Sequence, residues 1–439
     1  MSQAHAALPD AATDEVVRLG YGAGTIEFGY DPHRFEVLSA RDAHAEPLTD
    51  EALSAAMDAP VNSPRLADVV SKSDRVVCVI PDATRAAGVE RVLAQVYARL
   101  RGRGVAPERI SCLVGGGIHR PPTEQEIRQL LGDELAARVT VHAHHASEPD
   151  ECVTLGTTSR GTPVALNRRL LETDHVVVIG GITFHYFAGF SGGRKGVLPG
   201  CAAEPSIQRN HKLSFDEQTM DKRAGVTSGR LEGNPVHEDM VEAVSMFGPS
   251  FLVNTVLNGD NEIVAAYAGH WRDAHLRGCA EYAAAHTVPF ESRRPLVVVS
   301  AGGSPRDLNL IQSHKAMEHA SHLLTEGGTM IALAECSQGL GRDDFLDWFV
   351  PGGSRATALK LMENYKVNGQ TAWGLRRKAE RFRLMLVSKL DGEVVRHMGL
   401  EPHDSLDSAL AAAGDAPGFI MPSGLSTLPQ LRTPAAGPQ

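Results

Sequence analysis

Short apolar runs alternate along this chain with stretches whose apolar residues recur at helical spacing. Residues 75–80 (RVVCVI) form a continuous apolar run, the pattern of a strand covered on both faces. Val89, Val92, Leu93, Val96 and Leu100 then fall on one face of a helix that Gly102 and Gly104 end. Further strands are expected at 110–114, 139–142 and 175–179, with 252–256 and 263–268 as neighbours. Residues 296–300 (LVVVS) open a second set, followed by a helix from about 313 and a strand at 330–334. This alternation predicts an α/β protein of two domains, each a mostly parallel sheet flanked by helices. The charged segment 287–295 after a helix at 273–285 is the best boundary, giving domains 1–288 and 289–425 and a tail, 426–439. Residues 1–15 and 427–439 read as loose ends.

The chain has 439 residues, 42% hydrophobic and 22% charged, with a net charge of −10. That charge argues against nucleic acid or an anionic membrane as partner, so any anion site must be built locally. The start has no apolar core and no stretch approaches 18 apolar residues, so neither a secretory signal nor a spanning helix is expected. The six cysteines form no C-x-x-C pair and disulfides are unsupported, which makes a reducing cytoplasm the expected location.

In open α/β sheets, ligands gather beyond the carboxyl ends of strands. Four such ends carry unusual loads: Asp82, Thr84 and Arg85 after Ile80; three glycines and His119 after Val114; a long glycine-rich segment from Gly180 to Gly196; and Gly302 to Asp307 after Ser300. Each has a plain alternative. Asp82 and Arg85 can cap a helix and pair with each other, and His119 can be a satisfied loop histidine. Gly192-Gly193-Arg194-Lys195 lacks the spacing of a phosphate loop, since Arg194 intervenes and Gly196 replaces the hydroxyl residue. His142, His144 and His145 suggest a metal site, but without H-E-x-x-H they read better as a hydrogen-bonded strand end. Trp373 alone reads as packing.

Taken together, these segments resemble the lactate racemase family of nickel-pincer enzymes. The resemblance rests on IPDATRAA (80–87), GGGIHRPPTEQE (115–126), HYFAGFSGGRKGVLPG (185–200), RNH (209–211), GRLEGNPVHEDM (229–240) and NLIQSHKAM (309–317). It implies an isomerase, a racemase or epimerase of 2-hydroxyacids, with its active site in the interdomain cleft. It implies a nickel-pincer nucleotide, pyridinium-3-thioamide-5-thiocarboxylic acid mononucleotide, bonded covalently to Lys195, with Ni(II) held also by His211. His119 and His185 are matched to the acid/base pair, and Arg85 and Lys315 to the carboxylate clamp. Asp82, Thr84, Ser191, Gly192, Gly193 and Arg194 are matched to the cofactor surroundings, with Arg194 and the glycine N–H groups expected at its phosphate. Gln312, Ile311 and Trp373 are matched to the substrate pocket. Some lactate-specific members have a tyrosine where this chain has Ile311, which points to a larger or more apolar 2-hydroxyacid, or a sugar acid. The implied partners are that substrate and the enzymes that build the cofactor; a homo-oligomer is left open.

The chemistry explains the residue types. A C2–H beside a hydroxyl is a poor acid, so inversion by hydride removal and return suits such a substrate, and the cofactor supplies the hydride acceptor. A histidine on either side can manage the hydroxyl proton. Sulfur ligands plus an imidazole suit Ni(II). Three other classes stay open from the residues alone: phosphoryl transfer at the glycine-rich loop, a non-enzymatic nickel or cofactor carrier, and a zinc hydrolase using the histidine run.

Overall fold

The Val76–Ile80 strand is buried along its whole length, as a run with no polar alternation requires. In the computed structural model, which describes residues 15–41 and 45–432, it lies inside a six-stranded sheet. The order is Ile263–Gly269, Phe251–Leu257, His175–Gly181, Val76–Ile80, Ile110–Val114, Thr140–Ala143. Only the Ile263–Gly269 edge runs antiparallel. The Val89–Gly102 helix buries the predicted Val89, Val92, Leu93, Val96 and Leu100 against this sheet.

A second six-stranded sheet, wholly parallel, follows the order Glu401–His403, Arg383–Val387, Leu324–Leu333, Arg294–Ser300, Gly418–Met421, Phe35–Val37. Helices cover it, among them Leu310–Ala320 and Val367–Arg381. The protein is thus a two-part α/β fold of mostly parallel sheets flanked by helices. The first helix starts three residues before the predicted 313, because Asn309 caps it by accepting a 3.0 Å bond from the Gln312 N–H.

Sheet membership departs from the sequence partition at both ends. Phe35–Val37 pairs with Gly418–Met421, and the hairpin Glu15–Tyr21/Gly24–Tyr30 buries Leu19, Phe28 and Tyr30 on the second sheet. Residues 15–37 therefore belong with the second sheet and not with residues 45–288. Leu428–Leu431, read as loose, pairs in parallel with Thr287–Phe290, inside the segment read as a boundary. The remainder of both proposed loose ends, residues 1–14 and 433–439, lies outside the described residues. No described helix is long and apolar enough to cross a membrane.

Candidate active site

A parallel strand delivers its last residue and the loop after it to one edge of the sheet. In the first sheet Ile80, Val114, Gly181 and Leu257 all end on the same edge. Their loops meet the Gly302–Asp307 loop and the Leu310–Ala320 helix of the second part around a cavity of about 280 Å³. The cavity gathers Asp82, Thr84, Arg85, His119, His185, Ser191, Gly192, Gly193, Lys195, His211, Ile311, Gln312 and Lys315. Two predicted site residues are not in its wall, Arg194 and Trp373.

His119 and Asp82 form the tightest pair, Nδ1 to Oδ2 at 2.6 Å. Burial alone would raise the Asp82 carboxyl pKa, but the His119 bond, its charge, and Arg85 and Thr84 outweigh it and hold Asp82 ionised. Thr84 fixes the other carboxylate oxygen through its N–H (2.9 Å) and hydroxyl (2.5 Å). An ionised Asp82 accepts from Nδ1–H of His119 and leaves Nε2 as the basic nitrogen. Asp82 and Thr84 are therefore the orienting group of a histidine.

Arg85 and Lys315 come from different sheets and converge on one atom: Gln312 Oε1 accepts from Arg85 Nη1 at 3.1 Å and from Lys315 Nζ at 2.6 Å. One turn beyond Lys315, the half-buried Glu318 pairs with both Lys222 and Lys378, anchoring this helix to both parts of the protein. Burial, then Arg85 and Lys195, push the Lys315 pKa well down.

Lys195 reaches the cavity wall with Nζ 5.5 Å from the Phe187 ring. No described group accepts a hydrogen bond from it. Burial, then Arg194 and Arg85, hold its amine pKa far below the ordinary lysine value. His211 packs against the same Phe187 ring, with ring centroids 4.8 Å apart. Its Nδ1 makes no regular hydrogen bond; only the Ile207 carbonyl one turn back acts on it. His185 stacks on Tyr186 and accepts a long bond, 3.3 Å, from the Ala188 N–H at Nδ1. Burial first, then Lys195, Lys315, Arg85 and His211, keep it neutral.

Arg194 corrects the expectation of a phosphate ligand. Its guanidinium is buried behind the loop, bonding the Ala188 carbonyl at 2.7 Å and His275 Nε2 at 3.0 Å. The Gly193 N–H is also occupied, by Asn254 Oδ1 at 3.0 Å. Trp373 is buried against Phe215 and Arg377, and its helix presents Val367 and Thr371 to the cavity instead. In the histidine run, His144 lies between the Ala202 carbonyl (2.9 Å) and Asn167 (3.0 Å), and His145 pairs with Glu151. Sequence reasoning missed Tyr186, His314 and Thr371, which also line the cavity. Tyr186 and His314 stood inside quoted motifs, but nothing in their spacing marked which way they face.

Several buried histidines share one electrostatic fate. Burial lowers His275 and His314 to about 3 and His319 to about 4, and pushes His185 and His211 well down. The unfolded chain protonates these rings near pH 6.5 while the folded chain does not. Their contribution is therefore intact above pH 6.5 and is lost progressively as pH falls, at about 1.4 kcal/mol per group per pH unit. Urea midpoints should drop steeply between pH 6.5 and 5, where carboxylates are still ionised. A flat profile across that window would contradict the neutral assignments.

Comparison with known proteins agrees with this architecture. Residues 21–222 match the lactate racemase N-terminal domain and residues 291–426 the lactate racemase C-terminal domain. Lactate racemase from Thermoanaerobacterium thermosaccharolyticum is 30% identical over 339 residues, 76% of this chain and 77% of that one. Lactate racemase from Lactiplantibacillus plantarum is 31% identical over 333 residues, 75% and 77% of the respective chains. The solved lactate racemase apoprotein of the former organism superimposes with a TM-score of 0.86 at 27% identity, covering 95% of this chain and all of that one. A Thermotoga maritima protein shares the fold alone, with a TM-score of 0.69 at 20% identity over 88% of this chain and 99% of that one. The fold and site define an isomerase of the racemase class. This chain belongs to the lactate racemase family.

Proposed function

We propose that this protein inverts the C2 centre of a 2-hydroxyacid by transferring a hydride away from the carbon and returning it to the opposite face. The observation that carries the reading is the charge of the cavity. Its described lining contains Arg85, Lys195, Arg306 and Lys315 but one carboxylate, Asp82, in a protein whose net charge is −10. Asp82 is taken by His119, so the cations are left for an anionic ligand.

The residues fit a lysine-bound nickel-pincer nucleotide. Lys195 offers a desolvated amine with no competing acceptor among the described residues, and His211, which also packs on Phe187, offers an imidazole free of a regular hydrogen bond at Nδ1. Once bound, this group supplies the hydride acceptor that no amino-acid side chain provides. Thr84, Ser191, Gly192 and Gly193 line the wall around it.

The chain does the rest. Arg85 and Lys315 grip the substrate carboxylate, taking it in place of the Gln312 oxygen they share. Lys315 regains its full charge beside that anion. His119, with Nδ1 engaged by Asp82, takes the hydroxyl proton at Nε2 for one enantiomer. His185, whose Nδ1 accepts from the Ala188 N–H, carries its proton at Nε2 and gives it as a hydrogen bond to the substrate oxygen, and His119 returns the hydroxyl proton to that oxygen once the hydride is back on carbon. Enclosure by both parts of the protein excludes water while the planar oxoacid turns. At position 311 an apolar side chain lines the cavity, which favours a substrate larger or more apolar than lactate.

The test is solvent labelling. Protein produced with cofactor-building enzymes is offered a panel of single-enantiomer 2-hydroxyacids in D2O. The inverted product should keep its original C2 hydrogen. Deuterium at C2 of the inverted product would overturn hydride transfer in favour of proton abstraction.

A further inference from the structure

The side chain expected to meet a phosphate, Arg194, is spent behind the loop, and the Gly193 N–H is spent on Asn254. One cation in the cavity has no role in the chemistry above: Arg306, from the loop that follows the Arg294–Ser300 strand. Its guanidinium meets only backbone carbonyls, Asn258 at 3.2 Å, Gly302 at 3.4 Å and Gly259 at 3.5 Å. These contacts are long, and no described carboxylate pairs with it. Burial works against its charge. Tyr282 and Asp260 act at longer range to favour the charge, but without an acid in hydrogen-bond contact a half-buried guanidinium facing a cavity is costly unless an anion completes it.

Strand order places it. Asn258 follows the Phe251–Leu257 strand, the Lys195 segment follows His175–Gly181, and Arg85 follows Val76–Ile80. These three strands are consecutive neighbours, so Arg306 and Arg85 flank the Lys195 segment from opposite sides. Two strand spacings separate them, about 10 Å. The hydroxyl residues Ser423 and Ser426 line the cavity together with Arg306.

We propose that Arg306, with Ser423 and Ser426, forms a second anion subsite that takes a phosphomonoester on the side of Lys195 away from the carboxylate clamp. The phosphomonoester can come from a pyridinium mononucleotide attached at Lys195 or from the far end of a phosphorylated sugar acid gripped by Arg85. The subsite goes beyond the racemase reading, because the apoprotein should bind such an anion whether or not it turns over a hydroxyacid.

Apoprotein is titrated calorimetrically with nicotinic acid mononucleotide in one arm and 6-phosphogluconate in the other, for wild type, Arg306→Gln and Arg306→Lys. The guanidinium makes charge-assisted bonds, so Arg306→Gln should weaken the phosphorylated ligand by roughly tenfold or more, with partial recovery in Arg306→Lys. Loss in the mononucleotide arm alone assigns the subsite to the nucleotide. Loss in the 6-phosphogluconate arm, with parallel loss in Arg85→Ala, assigns it to a substrate. Unchanged affinity in both arms overturns the subsite. As a check independent of variant folding, the bound ligand should shield wild-type Arg306 from phenylglyoxal in peptide maps, and equal labelling with and without it also overturns the proposal.

Discussion

Lys195→Ala should reduce racemisation by matured protein to the uncatalysed level while leaving the fold as stable as before or slightly more so. The two halves of this result have one cause. The amine is desolvated, has no hydrogen-bond acceptor among the described residues and stands near Arg194 and Arg85, so beyond a distant Phe187 ring the folded chain gains little from its charge. Removing an unpaired, half-buried cation relieves a cost and breaks no ion pair. Covalent attachment of the proposed cofactor would explain its retention at such a position. Lys195→Arg should be equally inactive, because a guanidinium cannot serve as the attaching amine. A midpoint lowered by several degrees in Lys195→Ala would show that the residue is structural, and residual turnover near wild type would remove it from the chemistry.

The second large effect concerns the clamp. Arg85→Ala should lower kcat/KM by about a hundredfold, the loss of roughly 3 kcal/mol of charge-assisted bonding to a carboxylate. Lys315→Ala should do the same. Because both cations share Gln312 Oε1 and Arg85 lowers the pKa of Lys315, the double variant should fall short of the product of the two losses. Arg85→Lys keeps the charge but not the two-pronged geometry and should recover only part of the activity. Full additivity in the double-mutant cycle would mean that the two groups bind different parts of the ligand.

The sequence reveals the site more readily than the boundaries of the fold, for a physical reason. Strand-end loops carry their chemistry in contiguous residues, so 80–87, 115–126 and 185–200 could each be read alone, and the structure brings His119, His185, Lys195 and Arg85 to one cavity. Phe35–Val37 joins a sheet whose neighbouring strand, Gly418–Met421, lies nearly 400 residues later, a pairing that local periodicity does not encode. The Leu428–Leu431 strand was invisible for the same reason, being four residues among prolines and polar groups. Arg194 shows a different limit. Its neighbour Lys195 enters the cavity, while the 3-10 turn Gly193–Gly196 directs Arg194 behind it to the Ala188 carbonyl and His275, a direction that no spacing rule gives. Arg306 stood in a glycine-rich loop noted for its composition, yet its importance emerges only when the strand order places it across the Lys195 segment from Arg85.

The central claim is that Lys195 carries a nickel-holding nucleotide within reach of His211. Intact-mass, peptide-map and metal analysis of protein produced alongside cofactor-building enzymes tests it most directly. The account predicts a covalent mass increment mapping to Lys195 and near-stoichiometric nickel, with the nickel lost and the increment kept in His211→Ala. An unmodified Lys195 in protein that nevertheless racemises a 2-hydroxyacid would contradict it.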